Sequence, residues 1–179
     1  MRFTYGFTPL GTGIVMIAGL AAQSPNPRSV PESLLPPVDQ VLAFELRAVG
    51  VQIYQCRATK EDPAKYEWAF VAPQADLFDA AGERVGTHYG GPTWEGLDGS
   101  KVVGEVRAKD TSRSAGSIPW LLLDAKSASG DGRFGRVKSI QRLYTSGGAA
   151  PDGGAGPDQA GKEIRVPYKA TYAFYAARP

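Results

Sequence analysis

Apolar and polar residues alternate along much of this chain. In YEWAFV, Tyr66, Trp68 and Phe70 fall on one side and Glu67 on the other, the two-residue period of a strand with one buried face. Near the C-terminus Tyr168, Ala170, Tyr172 and Phe174 alternate with Lys169, Thr171 and Ala173, the cleanest strand pattern in the sequence. Further strand-like runs are VLAFELRA (Val41–Ala48), VQIYQCRA (Val51–Ala58), RVGTHY and KVVGEVRA. Val49-Gly50 between the first two reads as a hairpin turn. IPWLLLDA (Ile118–Ala125) is continuously apolar, as expected for a strand buried on both faces. FGRVKSIQRLYT (Phe134–Thr145) carries apolar residues at Phe134, Val137, Ile140 and Leu143. That spacing has a helical component, but strand is the preferred reading.

Turn residues separate these runs. KEDPAK (Lys60–Lys65), Ala81-Gly82-Glu83, Gly90-Gly91-Pro92, Asp98-Gly99 and KDTSRSAGS (Lys109–Ser117) break the pattern at short intervals. SGGAAPDGGAGPDQAG (Ser146–Gly161) is low in complexity and reads as flexible. Many short strands with little helix predict an all-β, single-domain antiparallel β-sandwich of jelly-roll type, with a closed β-barrel as the alternative. The large aromatics Trp68 and Trp120 are expected in its core.

The N-terminus departs from this pattern. Arg2 is followed by an apolar run, Gly13–Ala22, too short to span a bilayer. It fits the hydrophobic region of a secretory signal peptide ending in small residues. Residues 1–22 are therefore expected to be a signal peptide, 23–37 a Pro-rich linker with five prolines, and 38–179 the folded domain. The expected location is secreted or periplasmic, with no membrane span once the signal is removed.

Charge excludes more than it suggests. Twenty basic and 18 acidic residues leave a net +2, without the basic cluster of a nucleic-acid footprint. One histidine and one cysteine cannot build a zinc site of ordinary composition, so no metal and no cofactor are expected. GPDQAGKE (Gly156–Glu163) resembles a phosphate-binding loop, but Glu163 stands where Ser or Thr is needed and a strand pattern follows in place of a helix. No nucleophile elbow presents a serine.

The stretch GTHYGGPTWEGLDGS (Gly86–Ser100) is the candidate site. His88 can exchange a proton near neutral pH. Tyr89 and Trp94 offer flat faces to a ring, and Glu95 and Asp98 are carboxylates able to divide acid and base work. The same residues also suit plain structural duty: glycines and Asp98 at turns, Trp94 in a core, His88 bonded to backbone. The pattern favours a monomeric, non-catalytic module that binds a small molecule, glycan or envelope component. A hydrolase or isomerase using His88 with Glu95 or Asp98 is one alternative, and a structural surface protein without ligand is another.

Six phrases in order, GVQIYQC (Gly50–Cys56), W-x-F (Trp68–Phe70), the 86–100 stretch, IPWLLL, IQRLYTSGGAAP and RVPYKATYAFY, resemble the domain-of-unknown-function family 3455 of exported bacterial and fungal proteins. The resemblance spans nearly all of residues 38–176 and implies no activity. It implies a second cysteine after the GG-x-x-P segment, positioned to bridge the cysteine of Q-I-Y-x-C. Ala155 stands there in this chain, so Cys56 has no bridge and the Gly-rich loop is expected to be more mobile.

Overall fold

The computed structural model describes residue 1 and residues 29–179; the expected signal peptide and the first part of the linker lie outside the described residues. Eight strands follow in chain order: β1 (Gln40–Ala58), β2 (Tyr66–Phe78), β3 (Arg84–Tyr89), β4 (Thr93–Gly96), β5 (Lys101–Asp110), β6 (Trp120–Ser129), β7 (Val137–Gly147) and β8 (Glu163–Ala177). Each pairs antiparallel with its neighbour, and β1 also pairs with β8. The sheet thus closes on itself as a barrel, the second of the two all-β arrangements expected. Closure removes the sheet edges around the ring, but the first half of β2 runs on with a strand partner, β1, on one side alone and meets β3 only from Ala75. Among the described residues there is no α-helix, only two 3-10 turns, at Glu32–Leu34 and Pro157–Gln159.

The two-residue period decides what fills the interior. On β8, Tyr168, Ala170, Tyr172 and Phe174 are buried. Their partners across the sheet include Ala48 and Leu46 on β1 and Ile140 on β7. Phe44 stacks on Phe174 with centroids 4.8 Å apart, and Phe134 meets both rings edge-on at 5.7 and 5.1 Å. Such edge and offset contacts add to the burial of large apolar area. These aromatics pack one end of the lumen solid.

Beyond the exposed Pro119, both faces of the IPWLLL run are covered, as its pattern predicts, with Leu121 half-buried. Leu123 joins the lumenal core, while Trp120 and Leu122 join a second cluster outside the barrel. That outer cluster is roofed by the Pro-rich segment: Leu34 is fully buried against Trp120, Leu122 and Leu143. Gln141 holds it there by donating from Nε2 to the Leu34 carbonyl. The latter part of the stretch read as a linker therefore packs on the barrel wall.

Three expectations change. Val41–Ala58 is not a hairpin; it lies within one 19-residue strand, Gln40–Ala58. Gly50 does not turn the chain. It lets β1 lie so close to β2 that any Cβ there would overlap the Gln74 carbonyl, a use of glycine for close backbone approach. Trp68 and Phe70 are not core. Trp68 is half-buried, Phe70 is exposed, and both stand where β1 and β2 run on past the barrel mouth. Finally, the Gly-rich loop is stitched to this projecting hairpin. Tyr54 donates to the Gly148 carbonyl, Trp68 Nε1 to Gly153 and the Cys56 thiol to Gly156, while the Cys56 backbone pairs with Gly161 and Lys162.

Candidate functional site

The barrel wall divides the five candidate residues. β3 and β4 pair with His88 opposite Trp94 and Thr87 opposite Glu95. Side chains alternate across a strand, so His88 and Trp94 turn into the lumen and Glu95 turns out. His88 is 2% exposed and lies flat on Trp94, centroids 4.4 Å apart and planes 13° from parallel. Tyr172 meets the imidazole edge-on at 5.0 Å. Tyr89 donates its hydroxyl proton to Glu95 Oε2 at 2.5 Å, and Lys101 pairs with the same oxygen at 3.2 Å. Those two contacts hold the Glu95 carboxyl below its usual range, the Tyr89 hydroxyl bond first.

Asp98 works as a turn organiser. Oδ1 accepts from the backbone N–H and hydroxyl of Ser100, and Oδ2 accepts from the N–H of Arg133. These bonds lower its pKa, the Ser100 hydroxyl contributing most. The Ser100 hydroxyl oxygen in turn accepts the N–H of Phe134, whose ring plugs the lumen. The 86–100 stretch thus serves three places: lumen, outer wall and bottom turn. It does not bring His88 together with Glu95 or Asp98.

His88 is held by one strong bond, from Nδ1 to the Thr93 carbonyl at 2.8 Å. A carbonyl only accepts, so Nδ1 carries the proton, and the neutral ring leaves Nε2 as an acceptor. Burial drives the pKa of His88 down to about 3, with the nearby Arg142 charge acting in the same direction.

What the lumen holds was not all visible in the 86–100 stretch. At the end opposite the Phe44–Phe134–Phe174 plug, a cavity of about 310 Å³ opens among β1, β2, the 90–92 turn and the start of β6. Eight-stranded barrels have interiors wide enough either to be filled by side chains or to hold one small ligand. Gly104 lets the Trp94 ring pack close to β5, since a Cβ there would stand 3.0 Å from it. The cavity is lined by His88, Trp94, Tyr172 and Gln52, all buried, and by Arg142, which is half-buried. Its rim includes Phe70, Val71 and Val106, which are 54%, 41% and 52% exposed.

Three of the lining side chains bury a polar atom that has no hydrogen-bond partner: Gln52 Nε2, Trp94 Nε1 and the Tyr172 hydroxyl. The Tyr168 and Tyr172 hydroxyls approach each other, with Gln52 beside the first and Arg142 beside the second. Neither hydroxyl closes a bond of normal geometry. Burial raises the pKa of both, so both are neutral donors. Arg142 lies opposite Tyr172 in the β7–β8 pairing. It donates from Nε to the Pro119 carbonyl at 3.0 Å. Among the described residues no carboxylate pairs with it.

Gln52, Arg142 and Tyr172 had a signal in the sequence. Once IQRLY is taken as a strand, Arg142 falls on the same face as Ile140, and an arginine on a core-facing register is unusual unless paired. The competing three-residue spacing obscured it. Gln52 alternates with Ala48, Leu46 and Tyr54 in the same way.

Fold and cavity together define a closed eight-stranded antiparallel barrel, plugged at one end and hollow at the other. The chain belongs to the family described as protein of unknown function (DUF3455), whose model matches residues 37–176. No curated protein and no solved structure matches it.

Proposed function

We propose that this chain is an exported, monomeric binding module that holds a small molecule in the hollow end of its barrel. The observation that carries this reading is the coincidence of a ligand-sized cavity with partnerless polar atoms in its walls. Buried polar groups are almost always satisfied, and leaving one unsatisfied costs about 1–3 kcal/mol. A cavity of about 310 Å³ sits at the low end of known ligand pockets, which run about 300–1,000 Å³. The small volume and apolar rim suit a compact molecule better than an extended glycan.

A thermal-shift screen of small molecules tests the reading, repeated on Val106→Trp to crowd the mouth. Compounds that raise the melting temperature of the native chain are expected to lose that effect in the variant. An empty screen, or shifts that the crowded variant keeps, would remove the cavity as a site. A role for His88 in acid–base chemistry draws no comparable support: the imidazole is neutral, bonded to backbone and separated by the wall from Glu95.

A further inference from the structure

The polar side chains that line the cavity offer more donors than acceptors. Arg142 has no acceptor atom, Trp94 Nε1 only donates, and the partnerless atom of Gln52 is its amide nitrogen. Tyr172 adds a neutral hydroxyl. The one acceptor the ring of His88 keeps is Nε2. A ligand that satisfies this set must be rich in acceptors.

Charge narrows the class. One guanidinium lines the cavity, and no acidic side chain does. A neutral ligand would bring no counter-charge to it. A dianion such as a phosphate monoester would bring a surplus negative charge into an apolar wall, which is costly. A monoanion balances it. Among monoanions, a carboxylate matches the planar fork of guanidinium and takes two parallel bonds. The rest of the ligand must be apolar, because it has to pass Phe70, Val71 and Val106 and lie among Ile118, Leu121 and Leu123.

We propose that the cavity takes a small carboxylic acid with an apolar body, head first, its carboxylate paired with Arg142 and accepting from the Tyr172 hydroxyl. This rests on the binding reading above and names its ligand class. A turn of the Gln52 amide supplies a further donor, and the body of the ligand lies among Ile118, Leu121 and Leu123.

The test uses the full chain and reads tryptophan fluorescence and calorimetry. Hexanoate and benzoate are titrated against hexanamide, benzamide, hexanol and inorganic phosphate. The acids are expected to bind at least tenfold more tightly than the matched amides, and phosphate not to compete. Arg142→Met is expected to bring acid affinity down to the amide level, and Arg142→Lys to recover part of it. If amides or hexanol bind as well as the acids, or Arg142→Met leaves acid affinity intact, the carboxylate assignment falls while the cavity stands as a binding site. Preferential binding of phosphate overturns it as well. If none of the probes binds, the carboxylate assignment falls, and the thermal-shift screen decides the binding reading. Should Arg142→Met not fold, the acid-against-amide comparison on the unaltered chain decides the matter.

Discussion

The imidazole of His88 lies face to face with the indole of Trp94, inside the barrel and directly across the β3–β4 pairing. That contact, together with the bond to the Thr93 carbonyl, buries the chain's one histidine as a neutral ring. The consequence is a defined pH dependence. The unfolded chain protonates His88 near pH 6.5, whereas the folded barrel refuses the proton until about pH 3. In that window the unfolded state binds more protons, so stability falls as pH drops, by up to about 1.4 kcal/mol per pH unit. Carboxylates begin to contribute only as pH approaches about 4–5. Denaturation free energies are therefore expected to decline between pH 6.5 and about 5 in the native chain, and to stay level in His88→Gln. A level native profile in that range would contradict the buried neutral histidine.

Gly50 and Gly104 differ in what surrounds them. A methyl group at Gly50 overlaps backbone of β2, which cannot move without breaking the β1–β2 ladder. At Gly104 it meets the Trp94 ring at 3.0 Å and Leu123 at 3.1 Å, side chains that can shift by tenths of an ångström. Gly50→Ala is expected to cost about 3 kcal/mol or more and Gly104→Ala about 1 kcal/mol, both read from denaturant midpoints. Equal costs would show that β1 and β2 do not pack so closely at Gly50.

Leu34 and Leu35 are neighbours with opposite surroundings, one fully buried and one 51% exposed. Leu34→Ala is expected to destabilise by about 2–5 kcal/mol, and Leu35→Ala by no more than about 0.5 kcal/mol. If both are silent, the Pro-rich segment does not roof the barrel in solution.

Asp98 and Glu95, two carboxylates of one short stretch, should separate in the same assay. Asp98→Ala removes three accepted bonds, two from Ser100 that close the 96–100 turn and one from the Arg133 N–H that ties it to the loop carrying Phe134, an expected loss of about 1–2 kcal/mol after allowance for solvent exposure. Glu95→Gln touches only Tyr89 and Lys101 on the outer wall. It should leave the melting temperature and any ligand affinity unchanged. Loss of ligand affinity in Glu95→Gln would count against a binding site confined to the lumen.

The thiol of Cys56 donates to the carbonyl of Gly156 at 3.5 Å, which places position 155 beside it. Ala155→Cys is expected to form a bridge under oxidising conditions, detected by loss of both free thiols. The closed loop approaches a hundred residues, for which chain entropy allows stabilisation of up to about 4.7 kcal/mol. Persistent free thiols would show that the loop does not sit over Cys56 as described.

The strands were largely legible because each buries one face, and a two-residue period follows directly from that. RVGTHY matches β3 residue for residue. The IPWLLL run showed its burial on both faces because neither set of side chains is polar. Two misreadings have a common origin. Val49-Gly50 looks like a turn and Trp68 and Phe70 look like core, because local chemistry does not report whether a neighbouring strand is close or absent. Gly50 lies where β2 presses in, and Phe70 stands beyond the last ring of the barrel.

The chain's own order of apolar and polar residues determined an antiparallel all-β body, most of its strands and the identity of most of its core, since those depend on periodicity along a single strand. Closure into a barrel, the roofing of its wall by Leu34 and the meeting of Gln52, His88, Trp94, Arg142 and Tyr172 around one cavity were decided only in three dimensions. These residues come from β1, β3, β4, β7 and β8, and nothing local in any one strand records which strands will be joined across the ring.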